Sequence, residues 1–502
     1  MRLSQWLSSL GGQPGQLLVV LVLFAAVIAI GAAAAAAPAS ATPSGTVLQT
    51  NLVSDLPGVA AVTDSDLVNP WGISESGGSP FWVSDNGAGL STLYLVPGAG
   101  NTAVSISPLV VSIPTPVSLS GGTPTGTVFN AGLSSGAFRI TGPNAAGLTA
   151  SAPAVFLFAT EDGTVAGWNP GIDPTGQFAG PNGTSTHAVI AVDSSGNNFT
   201  NPDPDQQTGA VYKGLAIATS TAAIIAGDAN STALLYVSNF RAGTIEVYDA
   251  NFDRVTALPV GAFDDPSLPA GYAPFNVQVL NGKVYADYAL QNAAGHDDVA
   301  GPHRGFVDVF NLDGTPGLSG GAVRLISRGP LDSPWGLAIA PQGFAGISDP
   351  SNDSVLLVGN FGDGLINAFD ATTGSELGQL EDPDGEPIQI DGLWALKVGN
   401  GGAGGASDTV YFTAGSFTES HGLFGSLATV AAGSPEGPAE AQWVEANVDV
   451  VQLDQQRLDN DIATGAPAAT IKQDTKTLDA DSHALAHVEK DFAQDTEADT
   501  AP

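Results

Sequence analysis

The sequence predicts an all-β fold, a six-bladed β-propeller closed by an N-terminal strand. Three observations predict it. A short turn word introduces an apolar run six times between Asn69 and Leu427, each run is followed by a β-rich segment, a turn and a further strand, and 63 Gly and 34 Pro punctuate the 502 residues as many short strands require.

The first 41 residues stand apart from this pattern. Leu17 to Ala37 is apolar without interruption, and Ala39-Ser40-Ala41 is a small-x-small cleavage pattern. The segment reads as a secretory signal peptide cut after Ala41. The run is also long enough to span a bilayer, so an uncleaved anchor over residues 17–37 is the alternative. The expected location is secreted or periplasmic, with the membrane involved only through that segment.

The propeller is expected over residues 46–430. The turn words are Pro70-Trp71-Gly72, Pro124-Thr125-Gly126, Tyr212-Lys213-Gly214, Pro274-Phe275-Asn276, Pro334-Trp335-Gly336 and Ile390-Asp391-Gly392. Gly and Asn in the third position best tolerate φ > 0, which a tight entry into a strand can require, and also leave room where six strands crowd near an axis. The second strands are FWVSDN (81–86), VFLFATEDG (155–163), LLYVSNF (234–240), KVYADYA (283–289), VLLVGNF (355–361) and TVYFTAG (409–415). The third strands are STLYLV (91–96), TVAGWN (164–169), TIEVYD (244–249), GFVDVFN (305–311), LINAFD (365–370) and GLFGSL (422–427). Weaker outer strands are expected at 109–114, 187–193, 253–259 and 322–328, with turn-rich loops at Gly142–Ser151 and Asn197–Gln207. The last blade lacks a strand, and Thr46–Val53 is expected to supply it, hiding two strand edges.

Residues 431–437 read as a linker. Beyond it, over 438–502, the period becomes helical: Val444, Val448, Val451, Leu458 and Ile462, then Ile471, Leu478, Leu485 and Phe492 at intervals of seven. An acidic helical hairpin with a disordered end is expected, able to dock on the propeller or mediate self-association.

The net charge of −36, from 14 basic and 50 acidic residues, repels phosphate backbones and argues against nucleic acid as a partner. It suits solubility outside the cell and attracts cations such as Ca²⁺. With no Cys, disulfides and thiolate metal sites are excluded.

The words NPWGIS, FWVSDNGAGLSTLY, FATEDGTVAGWNP, SNFRAGTIEVYD, HDDVAGPHRGFVDVFN, GNFGDGLINAFD and DGLWALKVGN resemble a family of uncharacterised exported bacterial β-propeller proteins. The resemblance covers about Thr46 to Leu427 and implies a propeller, with no established activity or catalytic residues. Some members end in a PEP-CTERM sorting signal, whose place this chain fills with its acidic tail. More distantly, YVSNF and GTIEVYD are similar to NHL-type and lactonase-type six-bladed propellers, some of which hold axial Ca²⁺.

In a propeller the starts of the inner strands and the loops between second and third strands share one face, so distant acidic turns are expected around one channel mouth. Candidate rim residues are Asp85, Glu161, Asp162, Arg241, Asp363, Glu419 and His421. The long blade-four loop, Gln291–Arg304, supplies His296, Asp297, Asp298 and His303, whose imidazoles and carboxylates suit a divalent metal. His296 or Asp298 could instead act as a general base, and turn-capping is the plain structural alternative. Asn69, Asn276, Asn360 and Asp391 are candidate oxygen ligands for an axial Ca²⁺. Trp71, Trp335 and Trp394 are expected to pack between blades rather than to stack on sugars. The sequence has no Gly-x-Ser-x-Gly, His-Glu-x-x-His or phosphate-loop word. The expected function is therefore a binding or scaffold module that engages an extracellular protein, glycan or small ligand through the acidic rim. A metal-dependent, Ca-type hydrolase such as a lactonase-like enzyme at the same rim is the alternative.

Overall fold

A computed structural model describes residues 46–98, 103–201, 203, 206–347 and 354–434. The apolar N-terminal segment with its cleavage pattern and the helical tail lie outside the described residues.

Among the described residues six blade sheets follow one another along the chain, and their innermost strands touch in a closed cycle from the first blade to the sixth and back. Those inner strands are Pro70–Ser74, Pro124–Phe129, Tyr212–Thr219, Tyr272–Leu280, Pro334–Ile339 and Leu393–Val398. Each pairs antiparallel with the strand that follows in its own blade. The core is divided accordingly. Apolar clusters fill the gaps between neighbouring sheets, for example Leu337, Leu356 and Phe369 against Tyr285, Val307 and Leu325 between blades four and five.

The N-terminal strand Thr46–Ser54 pairs antiparallel with Leu423–Val430 and so becomes the fourth strand of blade six, as its sequence suggested, with the two-residue strand Val62–Thr63 pairing parallel on its outer edge. Asp55 fastens the junction: its carboxylate accepts from Gly422 N–H at 2.8 Å and meets His421 Nδ1 at 2.7 Å. Closure removes exposed sheet edges and joins the two ends of the ring by backbone bonds.

The outer strands follow the sequence less closely. In blade three the expected strand at 253–259 contributes one bridge, Tyr248 to Arg254, and three strands are present among the described residues. Blade one has two short outer pieces, Ser105–Ile106 and Val111–Ser112, both paired with its third strand. The loop expected at Gly142–Ser151 belongs to a hairpin, Arg139–Pro143 with Thr149–Pro153. Outer positions have a neighbour on one side and a solvated face, so their alternation signal is weak.

The inner strands share one irregularity. Each has a register shift at its start, between Pro70 and Ile73 in blade one and between Tyr212 and Gly214 in blade three, for instance. The register shows that the sixth turn word lies three residues further on than the sequence reading placed it. Leu393 faces Ala414 as Pro334 faces Asn360, so Leu393-Trp394-Ala395 is the counterpart of Pro334-Trp335-Gly336.

Glycine in the third position answers crowding, not backbone conformation. Gly72, Gly126, Gly214 and Gly336 all have ordinary φ. A Cβ on Gly126 would lie 2.4 Å from Leu215 N, and one on Gly72 would lie 2.6 Å from Thr125 O. Each glycine admits the backbone of the next blade. Gly392, which does have φ +65, belongs to the preceding turn and packs on Gly415.

Candidate site at the channel mouth

With the register corrected, the middle residues of the six words are Trp71, Thr125, Lys213, Phe275, Trp335 and Trp394. Four are aromatic and close the channel. Trp71 and Trp394 stack at 3.5 Å between centroids, Trp335 meets Trp71 edge-on at 6.1 Å, and Phe275 lies 5.9 Å from Trp394. Trp335 Nε1 donates to the carbonyl of Lys213 at 3.1 Å, and Trp394 Nε1 donates to Asn69 Oδ1 at 3.1 Å. These indoles are buried packing elements, as expected from sequence.

Lys213 is the single charged side chain in that layer. Its ammonium lies 5.0 Å from the Trp71 ring centroid, a cation–π distance, and binds Glu161 directly. Asp297 Oδ1 is 3.8 Å away. The Lys213 side chain is 3% exposed and that of Glu161 12%. Burial alone would raise the Glu161 pKa, but Lys213, His296 and the Asn86 amide outweigh it and hold it below the usual value. Burial disfavours the Lys213 cation, and the surrounding carboxylates reverse that and raise its pKa.

A polar chain extends from this pair. Asn86 Nδ2 donates to Glu161 at 2.8 Å, and Asn69 Nδ2 donates to Glu419 at 2.8 Å. Glu419 arrives on a left-handed turn: Phe417, Thr418 and Glu419 have φ of 54, 53 and 68°. Three successive L-residues in this region cost about 1–2 kcal/mol each. The turn is fastened by Asp391, whose Oδ2 accepts from Phe417 N–H at 2.8 Å. Restricted solvation and the nearness of Glu161 push Glu419 up to about 7, against the pull of Lys213 and Asn69.

The blade-four loop divides. His296 Nδ1 meets Asp297 Oδ1 at 2.6 Å, and that bond, partly opposed by burial, holds Asp297 down at about 2. Ligating atoms of Glu161, His296 and Asp297 lie within 4.8 Å of one another, a spacing that could hold a metal ion. Asp298 lies deeper, with its pKa raised by burial against the opposing pull of Ser333 and Lys213. His303 turns away, and its Nδ1 meets the Gly329 carbonyl.

Other candidates serve the framework. Asp85 is fully buried, accepts from Thr92 N–H at 2.9 Å and is pushed well up by burial. Asp162 accepts from Thr123 N–H at 2.9 Å, and burial pushes it up to about 6. Arg241 reaches Asn198 Oδ1 at 2.9 Å, the Gly209 carbonyl at 2.8 Å and the Ala294 carbonyl at 3.2 Å, tying the blade-four loop to blade three. Asp363 Oδ1 accepts from Asn360 Nδ2 at 2.9 Å and from Leu365 N–H at 3.1 Å. His421 belongs to the closure with Asp55. Asn69, Asn276, Asn360 and Asp391 each have protein contacts of their own: Asn69 with Trp394, Asn276 with the Trp335 carbonyl, Asn360 with the Pro330 carbonyl and Asp391 with Phe417 N–H.

Lys213 is the residue that sequence reasoning missed. It was read as part of a turn word. The available signal was its position, since it is the one charged member of a mostly aromatic set once the sixth word is aligned.

Comparison with known proteins places the chain among viral relatives. No family model matches it. It is 31% identical over 351 residues to uncharacterized protein R648 of Acanthamoeba polyphaga mimivirus, covering 69% of this chain and 72% of that protein. It is 32% identical over 381 residues to uncharacterized protein L690 of the same virus, covering 75% and 84%. The chain belongs to the family of these mimivirus proteins. These relatives are viral, whereas the sequence words resemble a bacterial exported family. Among solved structures, an α-L-arabinofuranosidase of Fusarium graminearum has 10% identity and a TM-score of 0.40, covering 76% of this chain and 98% of its own. The PQQ-bound aldose sugar dehydrogenase of Streptomyces coelicolor has 12% identity and a TM-score of 0.38, covering 78% and 100%. No chemistry passes from either to this chain.

Proposed function

We propose that the protein is a binding module whose channel mouth takes a ligand rich in hydrogen-bond donors, either a small molecule, a glycan or a segment of a partner protein. One observation carries this reading. Glu161, Asp297, Asp298 and Glu419, from three different blades, surround a single buried ammonium, that of Lys213. Acceptors therefore outnumber fixed donors around that ammonium. A ligand bringing hydroxyl or ammonium groups would satisfy them. Export, with the N-terminal segment removed, is part of the proposal, and N-terminal sequencing of the mature protein tests it.

The binding test is a thermal-shift and calorimetric screen of glycans and amines on the parent and on Glu419→Gln and Asp298→Asn. A ligand held by the parent and weakened by both variants supports the reading. Unchanged affinity in both would reject the mouth as its site.

The spacing of Glu161, His296 and Asp297 favours a second reading, a metal-dependent hydrolase. Lys213 already supplies a positive charge to Glu161 and Asp297, so a dication there must coexist with it or displace it. This reading predicts stoichiometric metal in the purified protein, its loss in Asp297→Ala, tighter metal binding in Lys213→Met, and lactone turnover that falls with the metal. Metal content unchanged in Asp297→Ala would reject it.

A further inference from the structure

Two loops beside the mouth carry apolar side chains into solvent. Among the described residues six large apolar side chains are exposed, and three of them, Val117, Leu119 and Phe199, lie on these loops. Val117 and Leu119 precede the inner strand of blade two, and Phe199 lies on the segment leading into that of blade three, so both loops belong to the mouth face. Ile113 N–H donates to the carbonyl of Gly89, in the mouth turn of blade one, at 3.0 Å, and Thr123 N–H donates to Asp162 Oδ2 at 2.9 Å. Asn198, the neighbour of Phe199, donates through Nδ2 to the Asp162 carbonyl at 3.4 Å and accepts from Arg241 at 2.9 Å. Asp162 therefore touches both loops, and the adjacent Glu161 holds Lys213.

The first loop is fixed in this exposed form. Thr115 is buried, and its backbone exchanges hydrogen bonds with that of Ser118 at 2.9 and 3.3 Å. The tip so held leaves Val117 75% and Leu119 47% exposed. Aliphatic groups in that position add nothing to the core and gain free energy only when a partner covers them.

We propose that the occupant of the mouth is a polypeptide segment that places a Lys or Arg side chain among the carboxylates and packs apolar neighbours on Val117, Leu119 and Phe199. This rests on the binding-module reading and names its partner. Charge complementarity selects the cation: Glu161, Asp297, Asp298 and Glu419 share one ammonium, and Asp297 is 61% exposed. A Lys or Arg stem lays its carbons on apolar surface while its charged head reaches the carboxylates. A glycan fits less well, because Trp71, Trp335 and Trp394, the indoles that could stack on sugar rings, are buried.

A displayed library of random heptapeptides, selected on the full protein, tests the partner class. The expected outcome is enrichment of Lys or Arg flanked by aliphatic or aromatic residues. The enriched peptide, synthesised and titrated by fluorescence anisotropy, should bind more weakly as NaCl is raised and more weakly to Glu419→Gln. The double variant Val117→Ser, Leu119→Ser should lose about tenfold or more in affinity. Leu148→Ser, an exposed change on the hairpin beyond the far end of blade two's inner strand, should leave it unaltered. No enrichment, enrichment without Lys or Arg, or full affinity in the double variant would overturn the proposal. A glycan or small amine bound by the parent and lost in Glu419→Gln, with no peptide selected, would remove the polypeptide partner and leave the mouth as the binding site.

Discussion

Replacing Lys213 with Met tests the electrostatics of the mouth directly. The substitution keeps most of the side-chain volume and removes the charge. What remains is Glu161, 12% exposed in its side chain, with Asn86 as a neutral donor and His296 nearby. Removing one partner of a buried pair costs about 3–5 kcal/mol, because the other charge stays desolvated. The contact with Asp297 adds little, since that carboxylate is 61% exposed. Adding Glu161→Gln removes the stranded charge and keeps an amide at the same place, so the double variant should recover about 2 kcal/mol or more of the loss. Urea unfolding followed by tryptophan fluorescence measures both, with Trp71 reporting from 5.0 Å. The pH dependence has a defined sign. Glu161 is held below its ordinary 4.5, so the pair stabilises above that pH, and its contribution fades as pH falls through the lower folded value. The gap between parent and Lys213→Met should therefore narrow in acid. A single-variant cost under about 1 kcal/mol, or a double variant no more stable than the single, would refute the claim that a desolvated pair organises the mouth.

Gly126→Ala should destabilise by about 1–3 kcal/mol because its Cβ would meet Leu215 N at 2.4 Å, whereas Gly77→Ala, with nothing within 4 Å, should be near neutral; denaturation midpoints compare them. Asp162 has a folded pKa of about 6 against an ordinary 3.8, so its contribution to stability falls as pH rises between those values. Asp162→Asn should thus gain in melting temperature relative to the parent from pH 4 to pH 7, and a constant difference would contradict the shift. Asp55→Ala removes the contacts to His421 and Gly422 and should cost about 1–2 kcal/mol, with faster hydrogen exchange concentrated in Thr46–Ser54 and Leu423–Val430.

The ring was legible in the sequence because its inner strands are constrained on every side. Gly72, Gly126, Gly214 and Gly336 each admit the next blade's backbone, and no larger residue fits without displacement. Such a requirement writes itself into the chain as a repeated word. The closing strand was legible for a related reason, since its apolar residues Val47, Leu52 and Val53 are fully or almost fully buried at its two ends. Outer strands carry no comparable demand, and blade three's dwindles to the bridge at Arg254.

The site was legible as a region and not as an arrangement. Turn position predicts which face a residue joins, so Glu161, His296, Asp297 and Glu419 could be assigned to one rim. It does not say which carboxylate turns inward. Asp85 and Asp162 spend oxygens on neighbouring backbone N–H groups, and His303, five residues after Asp298, spends its imidazole on Gly329. Those choices depend on contacts between segments far apart in sequence. The ion pair Lys213–Glu161 spans 52 residues, and the Asn69–Glu419 bond spans 350. The misplacement of the sixth word had a larger consequence. With Asp391 counted among the middle residues, Lys213 was one of two charged members. With Trp394 in that place, it becomes a lone ammonium in a layer of indole and phenyl rings. A cation at such a position is stable only if carboxylates converge on it from other blades. The alignment of a repeat thus bears on chemistry as well as on fold, because a residue that breaks the pattern of an axial layer must find its partners across the axis.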